Sequence, residues 1–355
     1  MNESKYQATS SDGKEILRIL ESSAASGSIE LIYTRRPDAY ESYMKEPGEA
    51  RVFISREGAR AVGTCAQLIS DVYVGGEACR ASYVCGLKKD AQYEGGIGFG
   101  PDFIRSLSLC DADIFYCSVV ADNKEAQRIF KSGRRLIEMK PFSEYRTFIL
   151  SPKVKIKGRI NGDLSFLRAS AEDEDELLSF LSREGRKKDL FPVVDSFDKF
   201  HGLSVGDFYL LRDGGRIVSA AALWDRTDCK QYVVKKYRGI MRLARVLDPL
   251  LSLLGYIRLP KEDEPLRFPM LSFFLAENDC EEYYITLLSH ILKASKEKHE
   301  ILVIGLPKEH FAYRIYERLP SIHFDTVFFS VSFPFCDKKS KETDPKALYP
   351  ECAVL

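Results

Sequence analysis

The sequence predicts an α/β protein in which one order of elements is written twice. Three observations predict it. At 355 residues the chain exceeds the size at which a single core usually stops growing. The stretch FISREGARAVGTCAQL, Phe53 to Leu68, returns as YLLRDGGRIVSAAALW, Tyr209 to Trp224, with Arg56, Gly58, Arg60, Val62 and Ala66 recurring at one constant offset as Arg212, Gly214, Arg216, Val218 and Ala222. After the basic, glycine-containing stretch KVKIKGRING, Lys153 to Gly162, the order of helix, hairpin, strand, helix and strand begins again.

In the first half, Lys14 to Ser22 has helical spacing, with Ile16, Leu17, Ile19 and Leu20 as its apolar set. Leu31, Ile32 and Tyr33 read as a strand, followed by a polar loop around Arg35-Arg36-Pro37. Glu57-Gly58 supplies the turn of the repeated hairpin. Asp71 to Val74 with Gly75-Gly76 gives a further strand and turn, and Ala81 to Leu87 a buried strand. A helix is expected from about Pro101 to Cys110, a buried strand at Ile114 to Val120, a short helix from Asn123 to Lys131, and a last strand at Tyr145 to Leu150.

The second half opens with an acid-led helix, Ala171 to Leu181, whose carboxylates occupy the first turn where the helix dipole favours them. The hairpin follows. Lys230 to Leu259 is long, basic and helical in texture. Met270 to Ala276 reads as a strand, Tyr283 to Lys296 as a helix, Glu300 to Leu306 as a buried strand, Phe311 to Arg318 as a short helix and Phe324 to Phe333 as a last strand. From Cys336 a lysine-rich tail is expected to be weakly ordered. The expected division is therefore 1–152, 153–335 and a flexible tail, 336–355.

Composition excludes several classes. Lys+Arg and Asp+Glu both number 52, so no global charge recruits nucleic acid or an anionic membrane, and neither is expected as a partner. The nine cysteines form no CxxC and are odd in number, which suits a reducing compartment. The segment MNESKYQATSSDGKE has no apolar core of a secretory signal. A cytoplasmic location is expected. The histidines, His201, His290, His299, His310 and His323, show no metal-ligand spacing, so no metal is expected.

The segment most suited to chemistry is GLKKDAQYEGGIGFGPDFIRSL, Gly86 to Leu107. A strand runs into Gly95, Gly96, Gly98 and Gly100, and a helix begins at Pro101, where a missing N–H costs nothing. Glycines let successive amides face one point without Cβ obstruction, and the helix terminus adds partial positive charge. This is a cradle for a phosphate or pyrophosphate. A P-loop would need Lys-Ser or Lys-Thr after the glycines, and a Rossmann fingerprint would lie at the start of a βαβ unit; neither fits. A glycine-rich hairpin without a ligand is the bland alternative.

These residues resemble the GCN5-related N-acetyltransferase superfamily. In that family a fourth strand, an [RQ]-x-x-G-x-[GA] loop and a helix cradle the pyrophosphate of acetyl-CoA, and a fifth strand precedes a helix with N-x-x-A-x-x-x-Y. Here the fourth strand is Ala81 to Leu87, the loop Gly95 to Gly100, the fifth strand Ile114 to Val120, and the next helix carries Asn123, Ala126 and Phe130 at the family spacing. Ala221, Ala222, Leu223, Trp224, Asp225 and Arg226 resemble a stretch found in bacterial proteins with two such domains in tandem. The resemblance implies an α+β fold: two tandem acetyltransferase-like domains, each a mixed, mostly antiparallel central sheet flanked by helices. It implies acetyl-CoA as cofactor, a pantetheine slot at Cys85, Leu87 and Lys89, a cradle at Gly95, Gly96, Gly98 and Gly100, and a cofactor contact at Asn123.

The sequence departs from the family in two places. Gly95 stands where Arg or Gln is usual. Phe130 stands where a Tyr donates a proton to the leaving thiolate, which a phenyl ring cannot do. The second half has no glycine loop: FLAENDCEE, Phe274 to Glu282, contains none. Tyr83 and Tyr116, on the fourth and fifth strands, are the candidate catalytic hydroxyls, with core aromatics as the plain alternative. Asp225 beside Trp224 could face a cleft or simply the surface. The expected activity is transfer of an acetyl group to an amine of a small molecule or peptide. The alternatives are a non-catalytic acyl-CoA-binding protein, and a tandem transferase that uses aminoacyl-tRNA or a cell-wall precursor, which the basic stripe from Lys230 to Arg245 would serve. The acceptor and the oligomeric state are left open by the sequence.

Overall fold

The computed structural model describes residues 5–24, 29–123, 136–158, 160–247, 259–335 and 341–355. The first half contains α1 (Gly13–Glu21), β1 (Ile29–Thr34), α2 (Ala39–Tyr43), β2 (Glu49–Glu57), β3 (Arg60–Val74), β4 (Glu77–Lys89), α3 (Pro101–Ser108), β5 (Ile114–Val120) and β6 (Glu138–Leu150). The second contains β7 (Ser165–Arg168), α4 (Glu174–Gly185), β8 (Phe208–Asp213), β9 (Arg216–Asp225), β10 (Gln231–Tyr237), α5 (Gly239–Val246), β11 (Pro269–Ala276), α6 (Glu281–Ser295), β12 (Leu302–Pro307), α7 (Tyr313–Glu317) and β13 (Ser321–Ser332). A mostly antiparallel sheet of order β2-β3-β4-β5-β13-β6-β12-β11-β9-β8-β7 runs through the molecule, and β1 pairs with β10 in a separate ribbon.

The repeated hairpin recurs because it performs the same local task twice. β2–β3 and β8–β9 carry the same irregularity, between Ser55 and Arg56 and between Leu211 and Arg212. Arg56 then ion-pairs with Asp12 and with Glu15, the latter at 2.6 Å. Arg212 does so with Asp173 and Glu176, both at 2.7 Å. Each pair of acids sits at the entrance of α1 or α4, where Thr9 N–H donates to Asp12 and Ser170 N–H to Asp173, both at 2.8 Å. The second arginine of each turn reaches an acid just past the strand that pairs with β3 or β9: Arg60 to Asp90 at 2.9 Å, and Arg216 to Glu277. The motif is a clamp that ties a hairpin to the helix before it and to the loop after it.

The halves do not close separate sheets. β13 lies between β5 and β6, pairing antiparallel with both, and β6 in turn pairs with β12. Each half thus donates its last strand to the other. Phe148 and Leu150 of β6 accordingly sit in the core cluster built mainly from the second half, and Phe328 of β13 sits with Tyr83, Tyr116 and Tyr145 in the first.

Three expectations are corrected. Lys230 to Leu259 is not one helical stretch: 231–237 form β10, with Val233 and Val234 buried against β1, and among the described residues of the stretch the helix covers 239–246. β-Branched residues at the centre of a paired ribbon override the helical texture of the flanking residues. β6 begins at Glu138, not Tyr145, because it has β13 to pair with along its full length. The tail is ordered over 341–355. Tyr349, Cys352 and Ala353 are buried in the core, and Tyr349 N–H donates to Asp189 O at 2.8 Å. Its apolar residues follow the lysines and find a socket that local sequence does not reveal.

Candidate active site

β4 and β5 run parallel and paired only over 81–84 and 114–117. Beyond Val84 the strands part. At this point β4 carries a bulge: Lys88 faces Thr64 and Cys85 faces Ala66, so Gly86 and Leu87 oppose the single residue Cys65. Gly86 has φ +62°, which only glycine adopts without strain. β4 and β5 are therefore open to each other from Cys85 onward, the part of β4 that contains Cys85, Leu87 and Lys89.

The loop of residues 95–100 is seated on the first hairpin. Ser55 Oγ donates to Ile97 O, and Lys89 Nζ donates to Gly95 O at 3.2 Å. A Cβ on Gly63 would meet Ile97 O at 2.5 Å, so the close approach requires glycine there. Gly98 has φ +77°. Gly100 caps α3, Pro101 takes its first turn, and Phe99 stacks on Phe103 at 4.0 Å. Before the loop, Asp90 is held as a carboxylate by Arg18 at 2.7 Å and Arg60 at 2.9 Å; the Arg18 hydrogen bond is the main cause of a carboxyl well below its usual range. Among the described residues, the amides of Gly95, Gly96, Ile97, Gly98 and Phe99 donate to no protein acceptor. Free amides, a helix N-terminus and a nearby Lys89 fit a diphosphate.

Tyr83 and Tyr116 lie on the paired part of the strands, below the splay. Their rings are 5.0 Å apart, both are buried, and Tyr83 Oη shares a 2.6 Å hydrogen bond with Ser118 Oγ. Burial raises both phenols. A phenol so held stays protonated near neutral pH and cannot take a proton from an ammonium group. Asn123 is exposed, and its N–H donates to Val120 O at 2.9 Å. Phe130 lies outside the described residues. Asp225 accepts from Thr227 N–H and Oγ in a local turn, and Trp224 is fully buried with Nε1 donating to His201 O at 3.1 Å, so this pair is structural.

Sequence reasoning missed a buried charge cluster beside β4. Glu46 is ion-paired to Arg35 at 2.6 Å, Arg226 at 2.5 Å and Lys230 at 3.8 Å, and all four side chains are at most 2% exposed. Arg35 and Glu46 come from the loops flanking α2, Arg226 and Lys230 from the β9–β10 connection, so the cluster joins the halves. Burial pushes the Glu46 carboxyl up, but Lys230, Arg35 and Arg226 outweigh it and hold it at about 2. Burial lowers Lys230 and raises the Cys85 thiol to about 12, the latter opposed by Arg35. Arg226 lies inside the Ala221–Arg226 stretch, Lys230 opens the basic stripe and Arg35 belongs to a polar loop, but each of them, like Glu46, looks like a surface charge until its partners are brought to it. Glu46 also lines a cleft of about 450 Å³ between the halves, with Ile69, Asp71, Arg80, Pro192 and Phe200 among its walls.

The second half repeats the bulge but closes it. Opposite Ala221 of β9, β11 carries the two residues Phe273 and Phe274, and Phe273 has φ +51°. β11 pairs with β12 only at Met270 and Val303 before parting. Here the chain fills the gap itself: Phe273 N–H donates to Glu351 Oε2 at 2.7 Å and Phe274 N–H to Tyr349 Oη at 2.8 Å. Among the described residues no side chain takes the corresponding amides of Gly86 and Leu87.

No protein-family model and no curated protein sequence matches the chain. Solved structures do. N-myristoyltransferase of Saccharomyces cerevisiae, with bound myristoyl-CoA, matches with a TM-score of 0.54 at 10% identity over 90% of this chain and 79% of that one. A GCN5-related N-acetyltransferase from Anabaena variabilis matches with a TM-score of 0.50 at 10% identity over 91% of this chain and 71% of that one. The parted parallel strands β4 and β5, the bulge in β4 and these two likenesses together establish the fold of this chain as the one shared by N-myristoyltransferase and the GCN5-related N-acetyltransferases.

Proposed function

We propose that this chain is an acyl-CoA-dependent N-acyltransferase, with acetyl-CoA as donor and an amine of a small molecule or peptide as acceptor. The observation that carries the reading is the opening of β4 from β5 beyond Val84 and Cys117, with a bulge at Gly86 and a loop of unengaged amides at its mouth. Residues Gly95, Gly96, Gly98 and Gly100 with the start of α3 would hold the diphosphate. Cys85, Leu87 and Lys89 would line the pantetheine slot, and Asn123 would close its far side. The cleft lined by Glu46 touches the same strand at Arg80, near its other end. It is the proposed path of the acceptor. Holding donor and acceptor together in one geometry supplies much of the rate enhancement in such a transfer.

Calorimetry with coenzyme A tests the reading. One site per chain is expected, because the second bulge is occupied by Tyr349 and Glu351. A thiol-release assay with acetyl-CoA and longer acyl-CoAs against an amine panel then identifies donor and acceptor. No heat with coenzyme A at millimolar concentration refutes it. A non-catalytic acyl-CoA binder is the second reading, favoured by the protonated, buried state of Tyr83 and Tyr116; binding without thiol release would select it.

A further inference from the structure

The hydroxyl of Tyr43 is an unmet donor at the place where the proposed transfer needs one. Tyr43 ends α2, its side chain is fully buried, and its Oη has no hydrogen-bond partner among the described residues. Leaving a buried hydroxyl unpaired costs on the order of 1–3 kcal/mol, so such a group in a native core calls for an explanation. Its position supplies one. A Cβ on Gly86 would stand 2.4 Å from Tyr43 Oη. The hydroxyl therefore fills the side-chain space of the bulge residue, where β4 has just left β5. Gly86 is glycine for two separate reasons, its positive φ and this hydroxyl.

The surroundings favour negative charge at that spot. The Arg35 guanidinium lies over the Tyr43 ring at 3.9 Å from its centroid. Among the described residues Arg35, Arg226 and Lys230 surround one side-chain carboxylate, Glu46, and Lys230 also donates to Leu355 O at 2.9 Å, so the two guanidiniums by themselves outnumber the carboxylate in this buried cluster. Burial raises the Tyr43 phenol, against Arg35, so that it keeps its proton at neutral pH and can donate it in a hydrogen bond.

Resting on the proposed acyl transfer, we infer that Tyr43 is a catalytic residue whose Oη donates a hydrogen bond to the thioester carbonyl oxygen at the Gly86 bulge. In the transfer the amine nitrogen bonds to the carbonyl carbon and the C=O π pair moves onto oxygen. Its return breaks the C–S bond, and the sulfur leaves with the bonding pair. The proton lost by the amine reaches the thiolate through water, so the net products are amide and thiol. Tyr43 and the cationic cluster stabilise the charge while it resides on oxygen, and stabilisation of that kind is commonly the main source of rate enhancement in acyl transfer.

Tyr43→Phe in the full chain tests this with two readouts that a structural role would not produce. The variant is expected to melt at or above the wild-type temperature, because it deletes an unpaired buried hydroxyl, and to bind coenzyme A as the wild type does. It is expected to bind S-acetonyl-CoA, a ketone with no scissile bond, about 5- to 10-fold more weakly. With acetyl-CoA its kcat should fall about 10- to 100-fold at little change in KM. A variant that keeps wild-type ketone affinity and kcat overturns the inference while leaving the acyltransferase reading intact. A lowered melting temperature also overturns it, since Oη would then have a structural partner. Failure of the wild type itself to bind coenzyme A refutes the acyltransferase reading, and the role of Tyr43 with it.

Discussion

Replacing Glu46 by Gln probes the buried cluster most directly. The carboxyl is held at about 2 against an ordinary 4.5. That difference of roughly 2.5 pH units corresponds to about 3 kcal/mol at 1.36 kcal/mol per unit. The folded value is depressed, so the contribution is complete above pH 4.5 and is lost as the pH falls from about 4.5 to about 2. Glu46→Gln removes it at pH 7 and also leaves Arg35, Arg226 and Lys230 without a counter-charge; breaking a buried pair from one side typically costs about 3–5 kcal/mol. Lys230 offers partial relief, because burial already lowers its pKa and it can shed its proton. A loss of about 3 kcal/mol at pH 7 is therefore expected. Urea unfolding reads it through the single, fully buried Trp224. At pH 2 the variant and the wild type should converge. A loss below about 1 kcal/mol at pH 7, or the same acid dependence in both proteins, would refute the reasoning.

The other predictions concern the loop, the tail and the repeated clamp. Gly63→Ala drives a Cβ to 2.5 Å from Ile97 O and should weaken coenzyme A binding at least about 10-fold with the fold retained, whereas Gly162→Ala, which lies outside the loop and meets open space, should not; calorimetry on both separates displacement of the loop from a general effect of an added methyl group. Glu351 is pushed up to about 7 by burial, against the backbone amides it accepts from. Its folded value is raised, so its contribution is present below pH 4.5 and is lost as the pH rises through about 7. Wild-type stability should thus fall between about pH 5 and pH 8, and Glu351→Gln should flatten that slope in urea titrations. Arg212→Ala should destabilise more than Arg56→Ala, because the Arg212 side chain is 15% exposed and Arg56 36%. The two losses should add in the double variant to within about 0.5 kcal/mol, as expected for separate sites.

Much of the fold was legible locally. The R-x-G-x-R turns announced a duplicated hairpin because each arginine must reach an acid at a fixed place before or after it. Gly95 to Gly100 ahead of Pro101 announced a loop that opens into a helix, because glycine and proline restrict backbone geometry by themselves. The apolar runs Ala81 to Leu87 and Ile114 to Val120 announced strands, which are covered on both faces over 81–83 and 114–117 but open at Leu87 and Val120. These signals act within a few residues, and a sequence displays them directly.

What the sequence by itself determined, then, is the repeat, the order of its elements and the glycine loop. Tertiary structure alone decided that β6 and β13 trade places, that Tyr349 and Glu351 close the second bulge, and that Arg35, Glu46, Arg226 and Lys230 meet beside Cys85. The physical reason is the same in each case. A strand's periodicity states which face is apolar but not which strand will lie beside it, and a charged residue can be buried only if its partner, however distant in the chain, is buried with it.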